Sequence, residues 1–297
     1  MPSEQPSRIS DLKNQLGQHG YVADSSLTAT LMLGKALQRP VLLEGEAGVG
    51  KTDVAKSLAL ARNTRLIRLQ CYEGLDAHST LYEWNYQRQL LAIKLLEHDD
   101  RSTAEKEKDI FSEQYLLKRP LLEAITTSPP PVLLIDEIDR ADEAFEAYLL
   151  EVLSDYQVSI PEFGTIRASS RPDVILTSNG TRELSDALRR RCLYHYVDYP
   201  DFNKEVKIIQ ARVPDAPLAL ARQVVEFVQS LRGLDLKKKP GIAETLDWIS
   251  ALLQLDLRTL DENGTERILD SLSALVKTHE DRARLTRPVI QKMVAAC

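Results

Sequence analysis

The chain has 297 residues, a formal net charge of −6 and 43% hydrophobic residues, enough to bury a full core and to divide into two domains. Its acidic balance argues against a surface that is basic throughout and wraps nucleic acid, while leaving room for a local basic patch. No apolar run approaches the roughly 20 residues needed to span a bilayer, and the polar start MPSEQPSRIS has no apolar signal core, so a cytoplasmic location is expected.

Cys71, Cys192 and Cys297 are odd in number and far apart. That is the pattern of reduced thiols, with Cys297 an exposed terminus, rather than of a disulfide framework or a zinc site. In chain order, residues 1–7 read as disordered and 9–16 as a short helix ended near Gly17 and Gly20. A helix over 25–38 follows, capped by Ser25 or Ser26, with Leu27, Leu31 and Leu37 on its apolar side.

The stretch 41–52, VLLEGEAGVGKT, matches the phosphate-loop pattern G-x4-G-K-[ST] at Gly45, Gly50, Lys51 and Thr52. An apolar run at 40–43 reads as a buried strand before it, and 53–61 as a helix after it. Glycines allow successive backbone N–H groups to converge on phosphate oxygens, and the helix N-terminus adds positive potential there. Nucleotide contacts are therefore expected from Gly45, Glu46, Ala47, Gly48, Val49, Gly50, Lys51, Thr52 and Asp53. Lys51 suits the β- and γ-phosphates, and the Thr52 hydroxyl suits Mg²⁺.

A second strand is expected at 66–70. Residues 71–86, CYEGLDAHSTLYEWNY, are aromatic-rich and aperiodic. Two readings stay open for them: a loop folded onto the body, or an element facing a partner or substrate. A helix over 87–97, a charged solvated stretch over 98–109 and a helix over 112–126 follow.

Residues 132–135 form an apolar strand running into Asp136 and Glu137. Strand ends are ligand positions in parallel sheets. Asp136 can hold Mg²⁺, and Glu137 can act as the general base on an attacking water. Asp139 fits a capping role before a helix over 141–155. A hairpin is expected within 156–168. A strand over 174–177 ends at Asn179, placed to position water or sense a γ-phosphate, although Asn-Gly is also a common turn pair. A helix over 183–191 closes on Arg189, Arg190 and Arg191. One of them, Arg191 before Arg190, is a candidate arginine finger acting on a neighbouring copy; basic residues also suit a helix C-terminus for dipole reasons alone. A last strand is expected at 194–197, then only helices: 203–212, 218–231, 242–255, 265–278 and 287–296. The pattern gives an α/β domain followed by a small all-α domain.

The order of phosphate loop, DE strand, hairpin, Ser-Asn strand end and ALRRR helix resembles the AAA+ ATPases over about residues 20–290. VLLEGEAGVGKT (41–52), LLIDEIDRA (133–141) and YQVSIPEFGTIRA (156–168) are similar to the MoxR family. CYEGLDAHSTLYEWNYQRQLL (71–91), LSDALRRRC (184–192) and ETLDW (244–248) resemble its CoxD-like subgroup. The resemblance implies a three-layer P-loop domain with a parallel five-stranded sheet of order 5-1-4-3-2, followed by a helical lid. The corresponding domains are a tail and short helix at 1–20, a nucleotide-binding domain at 21–199 and a lid at 200–297.

It further implies ATP and Mg²⁺ as cofactors, a homo-oligomeric ring, usually hexameric, and a partner carrying a von Willebrand factor A domain. ATP hydrolysis would drive remodelling or maturation of a client, in the CoxD-like group a molybdenum hydroxylase such as carbon monoxide dehydrogenase. Many relatives carry a lid arginine near the start of the helix at 242–255. KKKPGIAETLDW has none there, so either Lys237–Lys239 substitute or the lid does not sense the γ-phosphate. Two rival readings are a nucleotide-switched scaffold without turnover and a nucleic-acid-directed AAA+ protein, the latter opposed by the acidic charge and by Glu162 in the hairpin.

Overall fold

The computed structural model describes residues 5–76, 80–96, 101–168, 170–261 and 264–297. The chain folds as two compact units that alternate along the sequence: residues 1–28, 44–57 and 196–297 form the first, and 29–43 and 58–195 the second.

Helices α1 (Gln5–Gln18) and α2 (Ser25–Leu37) precede strand β1 (Val41–Glu44), helix α3 (Lys51–Ala61) and strand β2 (Leu66–Gln70). Residues 5–7 belong to α1, against the expected disorder of 1–7; Pro6 sits in the first turn, where its missing N–H costs nothing. Residues 1–4 lie outside the described residues. The cap of α2 is Asp24, whose carboxylate accepts the Leu27 N–H at 2.7 Å, rather than Ser25 or Ser26. Strand β3 (Tyr82–Trp84), helices α4 (Tyr86–Leu95) and α5 (Thr103–Ile110), strand β4 (Leu116–Lys118) and helix α6 (Pro120–Thr126) come next.

The single helix expected over 112–126 is thus broken. Residues before proline favour extended backbone, as Arg119 does, so Leu116–Lys118 instead pairs antiparallel with β3 and the helix starts at Pro120. The aromatic segment 71–86 is largely folded onto the body: Leu75, Leu81 and Trp84 are buried, and Trp84 meets Phe111 edge-on at 5.3 Å. Tyr72 and Tyr86 remain exposed. Residues 77–79 and 97–100, which fall in the aromatic and charged segments, lie outside the described residues.

Strand β5 (Val132–Asp136), helix α7 (Glu143–Asp155), the hairpin β6 (Gln157–Ile160) and β7 (Gly164–Arg167), strand β8 (Asp173–Ser178), helix α8 (Asp186–Arg191) and strand β9 (Leu193–Tyr196) complete the α/β portion. The five-stranded sheet runs β2-β5-β8-β1-β9, the order expected. β5 lies between β2 and β8 in parallel register, with Leu66 opposite Val132 and Val132 opposite Asp173. Every residue of β5 is buried, as an unbroken apolar run flanked by strands on both sides requires. The apolar faces of α6 and α7 complete this core through Leu122, Ile125, Phe145 and Leu149.

After β9 the described residues contain helices and no strand: α9 (Phe202–Arg212), α10 (Leu218–Arg232), α11 (Ile242–Gln254), α12 (Thr265–Ser271), α13 (His279–Arg284) and α14 (Arg287–Ala295). The helix expected over 265–278 stops at Ser271, and Thr278 instead caps α13 by accepting the Asp281 N–H. Their core centres on Trp248, 4.8 Å from Phe227, whose indole N–H donates to the Ser271 hydroxyl at 2.8 Å. Cys297 is half-buried against this core rather than an exposed terminus.

A buried ion pair links the helices of this bundle. Glu205 of α9 accepts from Arg232 of α10 at 2.7 and 2.8 Å and from the Thr245 hydroxyl of α11 at 3.1 Å. Removing one partner strands the other charge, so Glu205→Ala is expected to cost about 3–5 kcal/mol of stability, measurable by urea denaturation. A loss under about 1 kcal/mol would mean that Arg232 finds water instead.

Candidate functional site

In the first unit, the loop between β1 and α3 has the form that binds phosphate. Gly48 and Gly50 take positive φ angles of 79° and 94°, a region open to glycine at little cost. Gly45 is needed for a different reason: a Cβ there would come within 2.2 Å of the Val197 carbonyl oxygen. Lys51 is buried, and its ammonium donates to the Gly45 and Glu46 carbonyls at 2.6 and 2.7 Å. That holds the loop closed around one cation. Thr52 follows in the first turn of α3, and Asp53 pairs with Lys56 at 3.0 Å and faces Arg212 at 3.6 Å.

Beside the loop, a cavity is lined by Tyr21, Val49, Gly50, Pro200, Ile208 and Ile242, among others. Burial, then the charges of Asp24 and Asp53, push the Tyr21 hydroxyl above its ordinary pKa, so it stays neutral. Asp53, Asp198, Lys204 and Arg212 line it as well; its apolar side chains and neutral phenol suit a heterocyclic base beside a phosphate cradle.

The start of α11 sits on the apex of the loop. The Ile242 N–H donates to the Gly48 carbonyl at 2.8 Å. A Cβ on Gly241 would lie 2.8–2.9 Å from the Cα, carbonyl carbon and oxygen of Gly48. Glu244 accepts the Gly241 N–H at 2.9 Å and lies 3.1 Å from where a Cβ on Gly48 would be. A carboxylate therefore stands where a lid arginine was sought. Lys237 is turned elsewhere, with its ammonium 2.9 Å from Glu280, and the Lys237 and Lys238 N–H groups donate to Asp281.

In the second unit, Asp136 ends β5 with 3% of its surface exposed. Arg68 of β2 donates to its Oδ2 at 2.5 and 3.0 Å, and the Thr177 hydroxyl of β8 donates to its Oδ1 at 2.5 Å. The same hydroxyl accepts the Glu137 N–H at 2.9 Å. Glu137 is held in the left-handed region, φ 56°, with Arg140 3.1 Å from its carboxylate. Such backbone is sparsely populated by residues other than glycine and recurs at functional positions.

Asp139 does not cap the following helix; Asp142 does, accepting the Phe145 N–H at 2.8 Å. Asp139 instead accepts the Asn179 N–H at 3.2 Å, the Thr181 N–H at 3.0 Å and the Thr181 hydroxyl at 2.6 Å. It thereby fixes the loop that carries Asn179, with Gly180 at φ 71° supplying the turn. Burial alone would raise the Asp139 pKa, but these hydrogen bonds outweigh it and hold the carboxyl below its ordinary value.

Arg189, Arg190 and Arg191 end α8, and Arg39 donates to the carbonyls of residues 190, 191 and 192. Arg191 is exposed, and its guanidinium donates to the Leu150 carbonyl at 2.9 Å and to the Ser154 hydroxyl. Arg190 is exposed as well. Sequence reasoning missed Arg68, Thr177 and Arg39. Their only trace was an arginine at an outward position of a strand, a threonine ending a strand, and a charge just before an apolar run. Cys71 and Cys192 are buried free thiols, each pushed up to about 12 chiefly by burial, which makes them inert at neutral pH.

A family model described as an AAA domain of the dynein-related subfamily matches residues 40–192. The chain belongs to this AAA+ family and has its α/β P-loop fold. An uncharacterized protein of Staphylococcus haemolyticus is 30% identical over 234 residues, 75% of this chain and 80% of that protein. The gas vesicle ATPase GvpN of Haloferax mediterranei is 27% identical over 254 residues, 82% of this chain and 70% of that one. Among solved structures, a candidate ATPase from Cytophaga hutchinsonii is similar at 16% identity, covering 98% of this chain and 94% of that one, with a TM-score of 0.48. No helix among the described residues is long and apolar enough to cross a membrane.

Two outcomes follow from the geometry. Gly241→Ala forces the backbone at Gly48 to move and is expected to weaken ATP binding about tenfold, or about 1.4 kcal/mol; unchanged affinity in a fluorescent-nucleotide titration would show that α11 does not hold the loop. Asp139 stabilises the fold above its unfolded pKa of about 3.9, and that contribution is lost as pH falls through its lower folded value. Asp139→Asn should therefore destabilise the protein at pH 7, with the difference shrinking below pH ~4, as read by denaturant melts. A difference that does not depend on pH would place the effect elsewhere.

Proposed function

We propose that this chain is an Mg²⁺-dependent ATPase that assembles into a homo-oligomeric ring and uses hydrolysis to remodel a partner protein. The observation that carries the reading is the buried Asp136 with Glu137 fixed beside it, in a chain that also has a formed phosphate loop. The ATPase name of one relative agrees with it.

Each residue then has a role. The N–H groups of 45–52 and the Lys51 ammonium bind the β- and γ-phosphates, while the cavity beside Tyr21 takes the base. The Thr52 hydroxyl and the Asp136 carboxylate are hard oxygen donors that fit Mg²⁺. Held by these two side chains, Mg²⁺ would supply neutralisation of the phosphate charge. Glu137 accepts the proton of the attacking water, and Asn179 positions that water or contacts the γ-phosphate. Arg191, with Arg190 behind it, acts on the nucleotide of a neighbouring copy. For Arg191 this requires exchanging its bonds to Leu150 and Ser154 for a phosphate.

The finer reading is a MoxR-family member of the CoxD-like kind. It comprises a hexameric ring, a partner with a von Willebrand factor A domain and a client of the molybdenum hydroxylase class whose metal cluster is completed after folding. The match of segments 71–91, 184–192 and 244–248 supports it, and the exposed Tyr72 and Tyr86 offer partner-facing contacts in the first of these.

The second reading, a nucleotide-switched scaffold, is favoured by Glu244 standing at the loop apex in place of a lid arginine. One assay separates the two. Glu137→Gln is expected to retain ATP binding and lose turnover by roughly 10²–10⁴-fold. Near-normal turnover in that variant would remove Glu137 as the base. A wild type that binds ATP without hydrolysing it, alone or with a partner, would select the scaffold.

A further inference from the structure

Far from Asp136 and Asn179, at the starting edge of the same sheet, the second unit holds a cavity of about 330 Å³. It lies beside the first residues of β8 and the proline run before β5, so the length of a strand, about 15–20 Å, separates it from the carboxylate end. Lys35, Arg39, Arg62 and Arg171 line it against a single acid, Asp173. That is a surplus of three positive charges in a chain whose net charge is −6.

Solvation does not account for this concentration. A basic face that merely keeps the protein soluble holds its guanidinium groups in water. Arg62 is only 16% exposed; it pairs with Asp173 at 3.0 Å, and its Nε is buried with no hydrogen-bond acceptor among the described residues. Burial drives the pKa of Arg62 down, and the charge of Asp173 only partly offsets that. Arg171 is held with its guanidinium over the Tyr156 ring at 5.1 Å while it donates to Gln38. Stacking of this kind fixes the plane of the fork and leaves its other N–H groups directed for an incoming acceptor. Arg39 is engaged with the end of α8 and contributes charge rather than a free donor. The remainder of the lining includes apolar side chains, which suits the body of a small molecule better than a bare ion.

We propose that this cavity is a binding site for a small polyanion, a phosphate- or carboxylate-bearing molecule, whose charged groups are held by Arg62, Arg171 and Lys35. The site is separate from the phosphate loop and does not depend on the ATPase reading. Forked guanidinium groups recognise phosphate and carboxylate through the same paired N–H geometry, so the two sources share one chemistry.

The test is calorimetric titration of Lys51→Ala protein, in which the phosphate loop is weakened, with inorganic pyrophosphate and separately with citrate. Saturable binding of one equivalent of at least one probe is expected, and the tighter probe identifies the source as phosphate or carboxylate. Adding Lys35→Glu or Arg171→Gln, both at exposed positions, should weaken that binding at least tenfold without lowering the melting temperature appreciably. With Lys51 intact, Lys35→Glu should leave ATP affinity unchanged, which separates this site from the loop. Absence of saturable binding by both probes overturns the proposal, as does binding that neither substitution alters.

Discussion

A carboxylate buried at the end of a wholly apolar strand is the constraint on which the second unit is built. Leaving the Asp136 charge unpaired in that position would cost several kcal/mol. The sheet supplies both partners: Arg68 comes from the strand on one side and Thr177 from the strand on the other. Register and site are therefore one problem. Sliding β2 by a single residue would turn Arg68 to the opposite face, and Asp136 would lose its ion pair. Thr177 has a second duty, because the hydroxyl that donates to Asp136 also accepts the Glu137 N–H. One side chain thus fixes both the buried acid and the left-handed turn at Glu137.

The phosphate loop meets its own constraint with different means. Its cation is internal: Lys51 bonds to loop carbonyls. Its apex is gripped by backbone, since Gly241 and Gly48 touch without side chains between them and Ile242 donates across the contact. An arginine at the start of α11 would read phosphate charge directly. A carboxylate there, bonded to the Gly241 N–H, holds the helix start in shape instead. The bundle behind it keeps α9, α10 and α11 together through a buried Glu205–Arg232 pair.

Much of this was legible in the sequence, for physical reasons. Glycines in G-x4-G-K-T and an apolar run ending in Asp-Glu are local patterns with few alternative uses, so the loop and the acidic strand end followed from the residues, whereas the strand order came only from the resemblance to the AAA+ ATPases. What stayed hidden depended on contacts between distant residues. Arg68 reads as an ordinary outward strand residue until β5 is laid beside it. Asp139 reads as a helix cap because caps are local, whereas its actual partners, Asn179 and Thr181, lie forty residues on. Pro120 was the local signal that 112–126 could not be one helix, and its weight was missed because the apolar residues on either side continued the helical pattern. By type Trp84 was compatible with either a core or a partner-facing segment, and packing puts it in the core.

The central claim is an ATPase whose active site is completed by a neighbouring copy. The most direct measurement is the steady-state rate of ATP hydrolysis per subunit as protein concentration is raised, for the wild type and for Arg191→Ala. A rate per subunit that climbs, saturates and is lost in the variant is the expected result. A rate independent of concentration and preserved in Arg191→Ala would contradict it.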